Sequence, residues 1–344
     1  MSTSGNGQIG QTPNPRLRSG ATAFATALCI LASGTPAAAA KIVTIEIGTQ
    51  GFTTAYGINA AGSITGGYDD PTLGFVRAAD GTITTFNPSG SSETYGMGIN
   101  RKGAIAGYWW NGLTHGFLRS PQGKFATFDP EGSVDTEPFR INDAGTLCGY
   151  YADSKYVKHG FVRSADGTIT AFDPEGSTGT QSLGINAAGT ISGYYSDSSN
   201  VYHGFIRATD GTITTFQVSG SDTIPWGIND SGTVTGSYGD GNTGLTHGFV
   251  RAADGATTSF DVSADVSTQP AVINNKGMIA GSYMNNVGIR YGFVRSADGK
   301  ITLFNPRGST ETQVWDINNE GAIAGWYWRG LKGNSPFYAF LRTP

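Results

Sequence analysis

Among the acids outside the recurring pattern of this 344-residue chain, Asp135, Glu137, Asp222 and Asp316 are the four loosely suited to acid–base chemistry. Cleavage of a glycosidic bond needs two carboxyl groups, roughly 5 to 5.5 Å apart for retention and about 6.5 to 9.5 Å apart for inversion. The four histidines, His115, His159, His203 and His247, all occupy the same tripeptide, His-Gly-Phe. A zinc site gathers its imidazoles at bonds of about 2 Å. Equivalent positions of successive repeats lie far apart, so a shared metal centre is not expected and a structural hydrogen bond near each His is. The same argument removes a Ser-His-Asp triad, since every His would be both frame and catalyst. Seven arginines recur in Gly-Phe-x-Arg or Ala-Phe-x-Arg, namely Arg77, Arg119, Arg163, Arg207, Arg251, Arg295 and Arg342. An anion-binding ring is one reading. Recurrence in every unit favours a task that each unit needs, such as bonding to the neighbouring hairpin.

These residues ride on a repeat. Ile-Asn-x-x-Gly begins at Ile58, Ile99, Ile141, Ile185, Ile228, Ile273 and Ile317, a period of 41 to 45 residues. Such a period is the mark of a solenoid or propeller. Each unit holds four short segments rich in β-branched and aromatic residues and bounded by Gly, Pro, Asn or Asp, which read as strands. Asn-x-x-Gly closes an Asx turn between the first two. Asp-Gly, at Asp80, Asp166, Asp210, Asp254 and Asp298, closes a hairpin between the last two. The seventh unit ends at Pro344 with three strands, while 41–47 precedes the first Ile-Asn in the register of a fourth strand. The expected fold is therefore all-β: a seven-bladed β-propeller with four antiparallel strands per blade over 41–344, closed by the N-terminal strand completing the last blade.

Residues 1–40 read as a secretory signal: Arg16 and Arg18, an apolar stretch from Ala21 to Ala32, then small residues up to Ala40. Its removal takes the formal charge from −4 to −6, leaves no basic stripe for nucleic acid and leaves no apolar run long enough to span a membrane. Of the two cysteines only Cys148 remains, in a position held elsewhere by Thr65, Ala106, Ser192, Thr235, Ala280 and Ala324. It reads as a small buried side chain. A monomer, secreted or periplasmic and without a disulfide, is expected.

Gly184-Ile185-Asn186-Ala187-Ala188-Gly189-Thr190-Ile191-Ser192-Gly193-Tyr194, followed by His203-Gly204-Phe205-Ile206-Arg207, resembles the bacterial extracellular repeats of the HAF family. The resemblance covers 41–344. This chain has His-Gly-Phe where the family has His-Ala-Phe, and Tyr338-Ala339-Phe340 in the last unit. The resemblance implies secretion and propeller-like repeats, with no activity or catalytic residues attached.

In a four-strand meander, the joints between strands one and two and between three and four share one face. The remaining joints share the other, and those vary in length and type, as a binding surface on a rigid frame does. Aromatic rings there suit sugar rings, whose C–H faces stack while hydroxyls find polar partners. Just before each Ile stand Gly57, Gly98, Arg140, Gly184, Gly227, Val272 and Asp316, so that Arg140 and Asp316 break a Gly pattern near the channel. The candidate ligand-binding residues are Trp109, Trp110, Arg140, Trp226, Asp316, Trp326, Trp328 and Arg329. The expected function is a non-catalytic propeller recognising a glycan or a protein partner, with a polysaccharide lyase or glycoside hydrolase as the alternative. No cofactor is expected; Asp69-Asp70, Asp197 to Asn200 and Asp240-Gly241-Asn242 offer oxygens for a structural Ca²⁺ but lack the ladder of a dedicated loop.

Overall fold

A computed structural model describes residues 40–48, 52–69, 71–219, 221–330 and 336–344, and every statement below concerns these. The expected signal segment before Ala40, and Asp70 of the calcium candidates, lie outside them. Residues from Ala39 onward form one compact unit. Its described residues contain strands and turns only, and no helix long and apolar enough to cross a membrane.

Each repeat is a meander. In the first, Thr53–Ile58, Ile64–Tyr68, Leu73–Arg77 and Ile83–Phe86 pair antiparallel in sequence order. The apolar residues that punctuate the sequence are those that vanish from solvent: the third-strand Phe of every unit, from Phe75 to Phe340, is fully buried, as is the residue that opens every second strand, from Ile64 to Ile323. One Gly in the second strand is imposed by the close approach of the first strand, since a Cβ on Gly66 would lie 1.9 Å from the carbonyl oxygen of Thr54.

The expected seven four-stranded blades with strand closure are corrected by the sheet pattern. Six sheets form, five of four strands and one of eight, and none closes on itself. Units two and three share the large sheet because Asp135, in the first strand of unit three, makes a parallel bridge to Thr114 in the third strand of unit two. That first strand, Ser133–Ile141, is nine residues long against six in unit one, and it carries a second register shift between Ser133 and Asp135. Length permits the bridge without forcing it, for Ser309–Ile317 is as long and makes none. The N-terminal strand, Lys41–Ile45, lies antiparallel to Phe337–Thr343 at the edge of the last sheet.

Side chains, rather than strand pairing, link most units. Asn59 accepts the N–H groups of Ala61 and Ser63 through Oδ1 and donates through Nδ2 to the carbonyl of Asn100. The same donation runs from Asn100 to Asn142, Asn186, Asn229, Asn274 and Asn318, and from Asn318 back to Asn59, at 2.9 to 3.2 Å. Seven side chains thus form an unbroken cycle of hydrogen bonds. On the outside, the fourth-strand Phe of one unit meets the third-strand Phe of the next at 5.8 to 6.2 Å, as Phe172 meets Phe205. The recurrent Arg of that next unit stands over the same ring, Arg207 at 4.8 Å from the centre of Phe172. The task shared by six of the seven arginines, Arg77 excepted, is a cation–π contact across the unit boundary.

Candidate functional site

Every first strand slips register just before its Ile. The shift falls between Ala55 and Gly57 in unit one and at the equivalent place in the other six. The residue inserted by this bulge is Tyr56, Met97, Phe139, Leu183, Trp226, Ala271 or Trp315, in chain order. A bulge bends its strand and re-aims one side chain. Here it aims a different residue from each unit at the channel.

Two cavities result. One, of about 230 Å³, is lined by the Asn cycle and draws on all seven units. The other, of about 420 Å³, lies toward the variable joints and is walled by bulge residues of units three to seven, Phe139, Leu183, Trp226, Ala271 and Trp315. Tyr194, Tyr238, Asp222 and three glutamines, Gln181, Gln269 and Gln313, supply its polar edge. The side belonging to units one and two is filled instead: Tyr56 packs edge-on against Trp315 at 4.9 Å, and Met97 is buried. Trp226 is fixed by donation of its indole N–H to Ser237 Oγ, 3.3 Å away.

Arg140 and Trp226 line both cavities. The Arg140 guanidinium reaches out of unit three to donate to the carbonyls of Tyr56, at 3.2 Å, and Trp315, at 2.8 Å, in units one and seven. Asp316 is half-buried and accepts the N–H of Ile58 at 2.9 Å and of Ile317 at 3.0 Å. Burial pushes its carboxyl up, against the opposing pull of the Arg140 charge and of these two hydrogen bonds. Arg140 and Asp316 together make a waist that ties three units across the channel.

The remaining sequence candidates are not brought to either cavity. Trp109 is a core residue stacked near His115 at 4.6 Å, and its neighbour Trp110 is 44% exposed. Trp326 and Trp328 gather around Phe337 at 5.2 and 4.8 Å, with Arg329 over Tyr327 and Tyr338. The eight candidates therefore separate into three places, of which only Arg140, Trp226 and Asp316 belong to the channel. Among the four irregular acids, Asp222 lines the larger cavity and Asp316 the smaller, while Asp135 and Glu137 line neither. Burial pushes the carboxyls of Asp135 and Glu137 up, and hydrogen bonds from Thr114 and Tyr150 respectively oppose it. The bulge series was readable in principle, as one position that changes in every unit between flanks that do not.

The histidines are fixed by carboxylates. His115 Nδ1 meets Asp129 and His159 Nδ1 meets Asp173, both at 2.7 Å, and His247 Nδ1 meets Asp261 at 3.0 Å. His203 pairs through Nε2 with Asp197 at 2.9 Å, and that hydrogen bond holds the Asp197 carboxyl below its ordinary value. No group of three or more metal-ligating side chains occurs among the described residues.

No protein-family model matches the chain, and neither does any curated protein. Solved structures do. A streptogramin B lyase is similar at 14% identity and a TM-score of 0.61, over 89% of this chain and 98% of that one. A catalytically inactive virginiamycin B lyase from Staphylococcus aureus with quinupristin is similar at 13% and 0.61, over 89% and 100%. The β-propeller domain of the Trilobed protease from Pyrococcus furiosus, described as having an open velcro topology, is similar at 8% and 0.59, over 84% and 95%. At such identities the likeness is one of fold, and the fold is a β-propeller.

Proposed function

We propose that this chain is an exported, non-catalytic binding propeller that takes a ring-bearing ligand, a glycan residue or a less polar cyclic molecule, into the channel mouth on the face of the variable joints. The observation that carries the reading is the 420 Å³ cavity, within the range usual for ligand sites and walled by five aromatic rings beside three glutamines. Aromatic faces accept the apolar face of a ring, and side-chain amides can both donate to and accept from its polar substituents. Exposed apolar residues add to the same face: Leu113, Tyr156 and Val287 stand in joints between second and third strands, with Trp110, Tyr202 and Met284 at the strand ends beside such joints. They suit a ligand that is part of a larger polymer or partner.

A binding role is favoured over hydrolysis because a single carboxyl group, that of Asp222, lines this cavity among the described residues, and two are needed. The test is a glycan array read by bound protein, with Trp226→Ala beside the unaltered chain. Binding that falls at least about tenfold in the variant supports the reading. Release of reducing ends from a polysaccharide panel, lost in Asp222→Asn, would replace it with an enzyme.

A further inference from the structure

Charge at the larger cavity is already answered from within the protein. The Arg140 guanidinium at its floor donates to two carbonyls and lies within the field of the half-buried Asp316 carboxyl. Asp222 at the wall accepts the N–H of Tyr202 at 2.9 Å. A ligand anion entering here would meet a guanidinium with donors already committed to the Tyr56 and Trp315 carbonyls, with Asp222 in the same wall. A ligand cation would share the cavity with Arg140. Taking an ion out of water without a counter-charge reserved for it costs several kcal/mol, so the site disfavours both signs.

Shape supplies the rest. Ala271 is the smallest member of the bulge series, and in the order of the units it stands between Trp226 and Trp315. The open volume on this side of the channel exists because unit six contributes a methyl group where units five and seven contribute indoles. Val314, Ile224 and Pro270 extend the apolar wall. Of the polar groups, Gln313 is engaged by Arg290, whereas the Gln269 amide makes no hydrogen bond with a described residue. A free sugar, polar around its whole rim, would leave most of its hydroxyls facing hydrocarbon, at a cost of about 1–3 kcal/mol for each one buried without a partner.

We infer that the cavity takes an uncharged small molecule with a flat, mainly apolar ring system, seated over Ala271 between Trp226 and Trp315, with a single polar substituent near Gln269. This rests on the channel mouth being a binding site and narrows what it binds. The probe is N-phenylnaphthylamine, which is uncharged and fluoresces in apolar surroundings, titrated into the full chain beside anilinonaphthalenesulfonate, an anion on the same rings, and a cellobioside. The expected result is saturable binding of the uncharged probe at one site, with the sulfonate weaker by at least about tenfold and the cellobioside weaker still. Ala271→Trp, which fills the gap, is expected to weaken the uncharged probe at least about tenfold without lowering the unfolding temperature. Leu183→Trp serves the same purpose if that variant does not fold. Equal or tighter binding of the sulfonate, or probe binding that ignores both variants, overturns the inference. Cellobioside binding that depends on Trp226, without binding of the uncharged probe, overturns the ligand class and leaves the binding reading standing. If none of the three binds, and the glycan array is also blank, both are overturned.

Discussion

Two residues separate the Asn that follows each first strand from the bulge residue before it, and in that distance the chain passes from sameness to variety. At one end of the channel Asn59 and its six counterparts each donate to the next unit in the same way. At the other, the bulge residues run from Ala271 to Trp226 and Trp315 while the register shift itself is common to all. Where a side chain must satisfy a neighbour's backbone, one residue type does it and the sequence repeats. Where the backbone alone sets the direction, no one residue type is required and the side chain varies from unit to unit. Arg140 and Asp316 lie between the two ends, in a position where four units have Gly.

The largest effect should come from that waist. Arg140→Gly removes both charge-assisted hydrogen bonds to the Tyr56 and Trp315 carbonyls and the cation whose field reaches Asp316, and is expected to cost about 3–5 kcal/mol in urea unfolding. Adding Asp316→Gly should recover part of the loss, because it removes the carboxyl that Arg140 offset and Gly already fits this position in other units. A loss below about 1 kcal/mol for the single change would mean that the waist belongs with the variable end rather than the frame. The pH dependence has a definite sign. The Asp316 carboxyl is pushed above its ordinary 3.8 in the folded protein, so it binds its proton more tightly folded than unfolded. Its favourable contribution is complete below that ordinary value and is lost as pH rises through the raised one. Removing Arg140 pushes the carboxyl higher still. The cost of Arg140→Gly should thus be smallest in acid and grow above the carboxylate range, as seen by comparing the two proteins' unfolding free energies across pH.

At the constant end, Asn186→Ala removes the acceptor for Thr190 N–H and the donor to the Asn229 carbonyl, both of which stay in place. Orphaning these groups is expected to cost about 2–4 kcal/mol. Ala271→Leu, at the variable end, has open volume to fill and should change stability by no more than about 1 kcal/mol. Equal losses for the two would erase the distinction between frame and site.

Much of the frame was legible because local chemistry decides it. Asn-x-x-Gly and Asp-Gly make the turns they announce, with Thr82 N–H on Asp80 Oδ1 and Ser63 N–H on Asn59 Oδ1, and the recurrent Phe is core. What escaped depends on reach between units. The amide end of each Asn and the seat of six of the arginines on a foreign Phe are invisible within one repeat. So is the single bridge from Asp135 to Thr114 that joins two expected blades into one sheet. For the site, a break in the Gly pattern pointed to Arg140 and Asp316. Side-chain size alone pointed to Trp109 and Trp328, which pack against their own units.

The edge of the last sheet offers a smaller test of how constancy follows from contact. A Cβ on Gly74 would lie 2.2 Å from the ring of Phe86, the residue opposite it, so Phe in the fourth strand demands Gly in the third. In the last sheet Ile45 stands opposite Ala339, and the smaller partner permits the methyl group. Ile45→Phe should therefore overpack against Ala339 and cost about 1–3 kcal/mol. Ile45→Phe with Ala339→Gly should regain it. The pair would also give Arg77 a ring to stand over, as Arg119 has in Phe86 at 4.9 Å, worth about 0.5–1 kcal/mol. If the double variant is no more stable than the single one, the covariation has another cause.

The smallest effect is expected beside the waist, where Cys148 is the strand partner of Arg140. Thr65 and Thr235, in the same position, donate to the carbonyls of Phe75 and Phe249 at 2.9 Å. Cys148→Thr can make the equivalent bond to Phe161 and should shift stability by less than about 1 kcal/mol, even though its neighbour Arg140 tolerates little. Burial pushes the Cys148 thiol up to about 12, so native protein at mildly alkaline pH should leave it unalkylated, and denaturant should expose it. Peptide mapping after iodoacetamide treatment distinguishes the two. Labelling of Cys148 in the native state would show that the wall behind Arg140 opens, and the sharp boundary between frame and site would then have to be drawn one strand further out.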